Sequence, residues 1–112
     1  MKTDLSKLKC KACSGNMIQL NDSQISEFLS SLNNWTVNNE QKMIFKKYSF
    51  KTFKKALDFT NLVGYIADEE GHHPDISFGW GYAKIVVTTH AIEGLSENDF
   101  ILAAKIDQIF NV

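Results

Sequence analysis

Residues 51–90 read KTFKKALDFT NLVGYIADEE GHHPDISFGW GYAKIVVTTH, and their punctuation decides the fold. From Lys51 to about Glu70 there is no proline. Phe53, Ala56, Leu57, Thr60, Val63, Gly64 and Ala67 recur there at helical spacing, so the period predicts a long amphipathic helix. Gly64 lies on that stripe and weakens the helix by about 1 kcal/mol relative to alanine, which points to close packing there. Gly71 supplies the stop, reinforced by Pro74. Asp75–Trp80 and Tyr82–His90 then read as two strands around Gly79 and Gly81. The second is rich in β-branched residues, Ile85 to Thr89.

Upstream, Asn21-Asp22-Ser23 offers N-cap residues. Ile25, Phe28, Leu29 and Leu32 form one helical face, and Asn33-Asn34 ends that helix. Trp35-Thr36-Val37 starts a short strand, Asn38-Asn39-Glu40 a turn, and Met43–Phe50 a second strand, with Met43, Phe45 and Lys47 assigned to one face. Downstream, Gly94 breaks the last strand. Ser96-Glu97-Asn98-Asp99 matches a capping box, and a helix over Phe100–Phe110 follows. Residues 1–21 show no steady apolar period and read as a loosely ordered lead-in. The order α-β-β-α-β-β-α implies an α+β fold in two layers: a four-stranded antiparallel sheet with three helices on one face.

The chain has 112 residues, enough for one domain over 1–112, with 44% hydrophobic and 22% charged residues. Twelve basic and 13 acidic residues give a net charge of −1, which argues against direct nucleic-acid or membrane-surface binding. No apolar run approaches the ~20 residues of a membrane span. The start, Met1-Lys2-Thr3-Asp4-Leu5, is polar and does not read as a secretory signal, so a cytoplasmic protein is expected. Cys10 and Cys13 make half a zinc ribbon at most, and no second pair completes it. No metal or cofactor is expected. A redox role would want the pair at the start of a helix, and a Ser-Gly-Asn stretch follows instead.

The chemistry concentrates on His72, His73 and His90, all the histidines of the chain, within nineteen residues. Imidazole gives or takes a proton near neutral pH with little tuning. Pro74 favours an extended His73, and in an extended segment the two adjacent rings point to opposite sides. They serve one pocket only if the backbone turns, which Gly71 permits. The strand ending at His90 returns, in an antiparallel hairpin, to the start of its partner beside the His pair. Adjacent histidines before a proline equally suit an ordinary polar turn. Asp68, four residues before His72, is placed to orient that ring or to be part of a solvated acidic helix end with Glu69 and Glu70. Asp99 reads as a helix cap with at most an indirect catalytic part. Trp80 and Tyr82 read as core aromatics or a pocket wall. No phosphate loop or nucleophile elbow appears, so acid–base chemistry without a cofactor is the favoured class.

The run Asp68-Glu-Glu-Gly-His72-His73-Pro74, followed by Trp80, His90 and Asp99, resembles the signature of the pterin-4a-carbinolamine dehydratase family. Thr88-Thr89-His90, Gly94-Leu95-Ser96-Glu97-Asn98-Asp99, Trp35, Ile44-Phe45-Lys46 and Phe50-Lys51-Thr52-Phe53 are similar too, and the likeness covers about residues 22–110. Gly71 and Ala91 depart from it, since many members carry acidic residues there. The resemblance implies a hydro-lyase that removes water from a 4a-hydroxytetrahydropterin, giving quinonoid dihydropterin in tetrahydrobiopterin recycling. An aromatic amino-acid hydroxylase would supply the substrate. It implies that His72 and His90 transfer protons and that His73 holds the pterin. Backbone around Gly71, His72, His73, Thr88, Thr89, His90 and Ala91 would contact the pterin, with Asp68, Pro74, Trp80 and Asp99 in support. It also implies a homodimer or homotetramer. Animal members act as dimerisation cofactors of a homeodomain transcription factor, so a protein-binding module is the alternative reading.

Overall fold

The computed structural model describes residues 4–11 and 17–110. The expectations for Cys13, and for the rest of the lead-in at 1–3 and 12–16, lie outside the described residues. The elements are α1 (Asp22–Leu29), β1 (Thr36–Val37), β2 (Ile44–Ser49), α2 (Phe53–Glu70), β3 (Asp75–Gly79), β4 (Tyr82–Val87) and α3 (Glu97–Phe110). The sheet is antiparallel throughout, in the order β1-β2-β4-β3. The helix and strand order and the α+β architecture are those expected from the sequence.

Each helix starts where a side chain satisfies an orphan backbone donor. Asn21 Oδ1 accepts from Gln24 N–H, and Gln24 Oε1 accepts in return from Asn21 N–H, a complete capping box for α1. Thr52 Oγ1 accepts from Lys55 N–H at 3.1 Å, so α2 begins at Phe53 rather than Lys51. α1 ends at Leu29, short of the predicted Leu32. The chain then turns through Ser30–Leu32 to Asn34, whose φ of 63° is left-handed.

The core lies between the sheet and the helices. Ile44, Tyr48, Ala83, Ile85 and Val87 come from the sheet. Ala56, Phe59, Val63 and Ala67 come from α2, and Phe100, Leu102, Ala103 and Ile106 from α3. Full burial of each large aliphatic side chain contributes roughly 1.5–3 kcal/mol.

Three sequence readings need correction. On β2 the core face carries Ile44, Lys46 and Tyr48, not Met43, Phe45 and Lys47. Lys46 masked the alternation: its ammonium lies 2.8 Å from Asp107 Oδ1 on α3, with its side chain only 13% exposed. Tyr48 Oη also donates to Asp107 Oδ1, and Trp35 Nε1 donates to Asp107 Oδ2 at 3.0 Å. A lysine can therefore sit on the inner face because its charge is paired and its stem is packed. Next, α2 does not pack closely at Gly64, where an added Cβ would meet no heavy atom within 4 Å. Phe59 fills the core, and Phe53 is exposed and packs on Phe78. Last, residues 4–11 are not loose: Leu5 is 3% exposed within a 3-10 turn, Leu5–Lys7, capped by Asp4.

Candidate active site

The α2 C-terminus separates the two adjacent histidines. Gly71 takes φ 66°, a left-handed conformation that only glycine adopts without strain. His72 N–H then returns to the carbonyl of Ala67 at 3.2 Å, wrapping the chain around the helix end. His72 is thereby driven inward, to 3% exposure, while His73 points outward. The turn that Gly71 permits thus leaves the two rings in opposite directions, each with its own carboxylate.

Of the two readings of Asp68, an approach to His72 and a place at a solvated helix end, the first does not hold. Instead Asp68 Oδ1 lies 2.9 Å from His73 Nε2, on the surface. His72 Nε2 lies 2.6 Å from Oδ1 of Asp99, which is fully buried. The physical reason is the wrap at Gly71, which swings the first ring off the helix face that Asp68 occupies.

Asp99 joins three elements. Its Oδ2 accepts from Ser96 N–H at 2.9 Å, half of the predicted capping box, and from Thr89 Oγ1 at 2.8 Å. A carboxylate only accepts, so Thr89 spends its single hydroxyl proton on Asp99, and Ser96 Oγ donates to Thr89 Oγ1 at 2.8 Å. His72 Nε2 is likewise the donor to Oδ1. His72, Thr89, Ser96 and Asp99 form a buried, hydrogen-bonded network in which the cap residue also orients an imidazole. Burial in low dielectric makes such a network rigid when its members are satisfied.

β4 ends at Val87, not at His90. Thr88 Oγ1 donates to Lys42 C=O at 2.5 Å, and Thr89 pairs with Gly94 as an isolated bridge. His90–Ile92 form a 3-10 turn between those bridge residues, closed by Glu93 at φ 51°. The strand stops because Thr89 turns its hydroxyl inward to Asp99. His90 and Ala91 are exposed on that turn, one and two residues from the buried network.

A cavity of about 620 Å³ opens beside His73, lined also by Asp68, Pro74, Gly64, Tyr65 and Ile76. A groove of about 590 Å³ on the helix-free face of the sheet is lined by Phe45, Lys47, Tyr82 and Lys84 among others, and by none of the histidines. Trp80 is 72% exposed in the β3–β4 turn, at the opposite end of β3 from His73. It is neither core nor grouped with the histidines within this chain. Sequence reasoning missed the roles of Ser96 and Thr89 as joint partners of Asp99. The Ser-x-x-Asp capping signal located two of these three residues without revealing the second use of the carboxylate.

The chain is 45% identical over 109 residues to a provisionally named pterin-4-alpha-carbinolamine dehydratase of Azoarcus sp., covering 97% of this chain and 93% of that one. A relative of the same provisional name from Rickettsia canadensis is 47% identical over 106 residues, covering 94% and 96%. Among solved structures, a transcriptional coactivator/pterin dehydratase from Brucella melitensis superposes with a TM-score of 0.78 at 26% identity, covering 82% of this chain and 98% of that one. A pterin dehydratase-like protein described as a RuBisCO assembly factor in the alpha-carboxysome shares the fold, with a TM-score of 0.60 at 24% identity, covering 69% and 89%. The family model for pterin 4 alpha carbinolamine dehydratase matches residues 18–109, the span that carries the buried His72–Asp99 pair and both outward histidines, and the chain belongs to that family.

Proposed function

We propose that the chain is a cytoplasmic hydro-lyase that dehydrates 4a-hydroxytetrahydropterin to quinonoid dihydropterin, on substrate released by an aromatic amino-acid hydroxylase. The observation that carries this reading, beside family membership, is the bond from His72 Nε2 to the buried carboxylate of Asp99. An imidazole held by a carboxylate that is itself fixed by Thr89 and Ser96 keeps its orientation through proton transfer.

The reaction breaks the C4a–oxygen bond. One proton goes to the leaving hydroxyl, which departs as water, and one leaves N5, so the two transfers balance. In this reading His72 and His90 carry those protons, and His73 holds the pterin. Backbone groups from Gly71 to His73 and from Thr88 to Ala91 meet the edge of the ring. No metal or cofactor enters the step. The test is turnover of 4a-hydroxytetrahydropterin by the purified chain and by its His72→Ala and His90→Ala variants. Wild-type turnover in either variant would remove that histidine from the mechanism.

A second reading, a protein-binding surface, is favoured by exposed apolar side chains on α2. Leu62 is 48% and Tyr65 71% exposed, three residues apart on one helix face. A second copy of the chain covering this face would give the homodimer or homotetramer that the resemblance implies. Sedimentation of wild type and of Tyr65→Glu tests it: an oligomer that the substitution dissociates supports the reading, and a monomeric wild type overturns it.

A further inference from the structure

The helix ends that carry His72 and Asp99 are both tied to the same short segment of chain. Glu70, the last residue of α2, accepts from Cys10 N–H through Oε1 at 2.8 Å. Its Oε2 lies 3.6 Å from Lys105 Nζ on α3, in a pair only 16% and 10% exposed. Asn98, the second residue of α3 and 1% exposed, accepts from Lys11 N–H through Oδ1 at 2.8 Å and donates to Lys11 C=O through Nδ2 at 2.7 Å. A buried amide that both accepts from and donates to one residue's backbone acts as a strand partner would, and leaving it unsatisfied is costly. Leu5 seats the same segment in the core, and Lys105 Nζ also reaches Ser6 C=O at 3.1 Å.

His72 lies two residues beyond Glu70, and Asp99 one residue beyond Asn98. The 2.6 Å bond between them is therefore bracketed by two attachments to consecutive residues, Cys10 and Lys11. Covalent connectivity does not hold the loop after Gly71 near the first turn of α3, since Asp99 lies 27 positions after His72 in the chain. We infer that residues 4–11 form a strap that sets the distance between these two helix ends, with Asn98 and Glu70 as positioning residues for the His72–Asp99 bond. The strap acts through the backbone turns on which the two side chains are mounted. Its catalytic consequence rests on the reading of His72 as a proton-transfer group. Its structural consequence does not.

The experiment uses the full chain and three substitutions. Asn98→Leu removes both bonds to Lys11 at similar volume. Glu70→Ala removes the acceptor for Cys10 N–H together with the charge facing Lys105. Asp107→Asn is the control, weakening the anchoring of α3 near its other end. The readouts are the imidazole resonances of His72 by NMR, kcat and KM with 4a-hydroxytetrahydropterin, and the urea midpoint. The strap predicts that Asn98→Leu shifts the His72 resonances and lowers kcat about 10- to 100-fold, with KM changed less. Asp107→Asn should lower the urea midpoint and leave the His72 resonances and kcat at wild-type values. His72 resonances unmoved in folded Asn98→Leu, or moved as much in Asp107→Asn, would overturn the inference. Should Asn98→Leu not fold, Glu70→Ala decides on the same readouts, with a smaller shift expected in the same direction. A wild type inactive on the pterin defeats the dehydratase reading, while the resonances still decide the strap.

Discussion

His72 Nε2 donates to Asp99 Oδ1 across 2.6 Å, and neither side chain is more than 3% exposed. The pair joins the turn after α2 to the first turn of α3, so it is at once a tertiary clamp and a device for aiming an imidazole. Removing the Asp99 carboxylate breaks the bond to His72 and takes the acceptor from the Thr89 hydroxyl and Ser96 N–H, at about 1–3 kcal/mol per unsatisfied buried group. Asp99→Ala is therefore expected to lose both stability and turnover. Asp99→Asn, which keeps the volume and one acceptor, should fold and lose turnover about 10²-fold. Urea denaturation and steady-state kinetics check both, and full turnover in Asp99→Asn would detach the carboxylate from the chemistry.

The outer pair behaves differently. His73 and Asp68 are 63% and 82% exposed at their side chains. A polar pair so exposed contributes at most about 1 kcal/mol. Asp68→Asn should leave the urea midpoint close to wild type. His73→Ala should raise KM more than it lowers kcat, because its proposed role is to hold the pterin. A large stability loss in Asp68→Asn would contradict this assignment.

Tyr48 offers a test of the core that is independent of the active site. Burial, and after it the hydrogen bond and charge of Asp107, push its phenol well above the ordinary value of 10.0. Between pH 10 and the folded value, the unfolded chain releases this proton and the folded chain keeps it. The folded state then binds more protons, so stability is fully present below about pH 10 and falls as the pH rises above it. Tyr48→Phe should lower stability at pH 8 by about 1.5–3 kcal/mol, the range for a hydrogen bond to a charged group, and flatten the alkaline limb. Denaturation curves from pH 8 to 11 measure the slope, and an equally steep limb in Tyr48→Phe would contradict the account.

Gly64 within α2 and Gly71 at its C-cap should respond in opposite directions. At Gly64 an added methyl meets nothing within 4 Å, so Gly64→Ala should stabilise by about 0.5–1 kcal/mol through helix propensity. At Gly71 space is equally open, but φ is 66°. Gly71→Ala should destabilise by about 1–2 kcal/mol. It should also disturb the turn that buries His72. Thermal denaturation of the two variants gives the signs.

The sequence was most legible where one period or one stop signal dominated. The uninterrupted stripe of α2, the Gly71 stop and the β-branched run at Ile85–Val87 gave the architecture, and the histidine cluster gave the region of the site. What it concealed were double uses of single residues. Lys46 reads as polar and solvent-facing, yet lies on the core face because Asp107, 61 residues away, pairs with it. Asp99 reads as a cap and is also the partner of His72. Thr89 reads as the penultimate residue of a strand, yet ends that strand by turning inward. In each case the deciding partner is remote in sequence, and local pattern carries no trace of it. Residues 4–11 misled for the same reason: their attachments are to Glu70 and Asn98, and their own periodicity carries no sign of them.

The most direct test of the dehydratase reading is the decay of 4a-hydroxytetrahydropterin absorbance in a coupled assay with an active aromatic amino-acid hydroxylase. Addition of the purified chain should accelerate that decay, and His72→Ala should abolish most of the acceleration. Decay at the uncatalysed rate in the presence of folded wild-type protein would contradict the account.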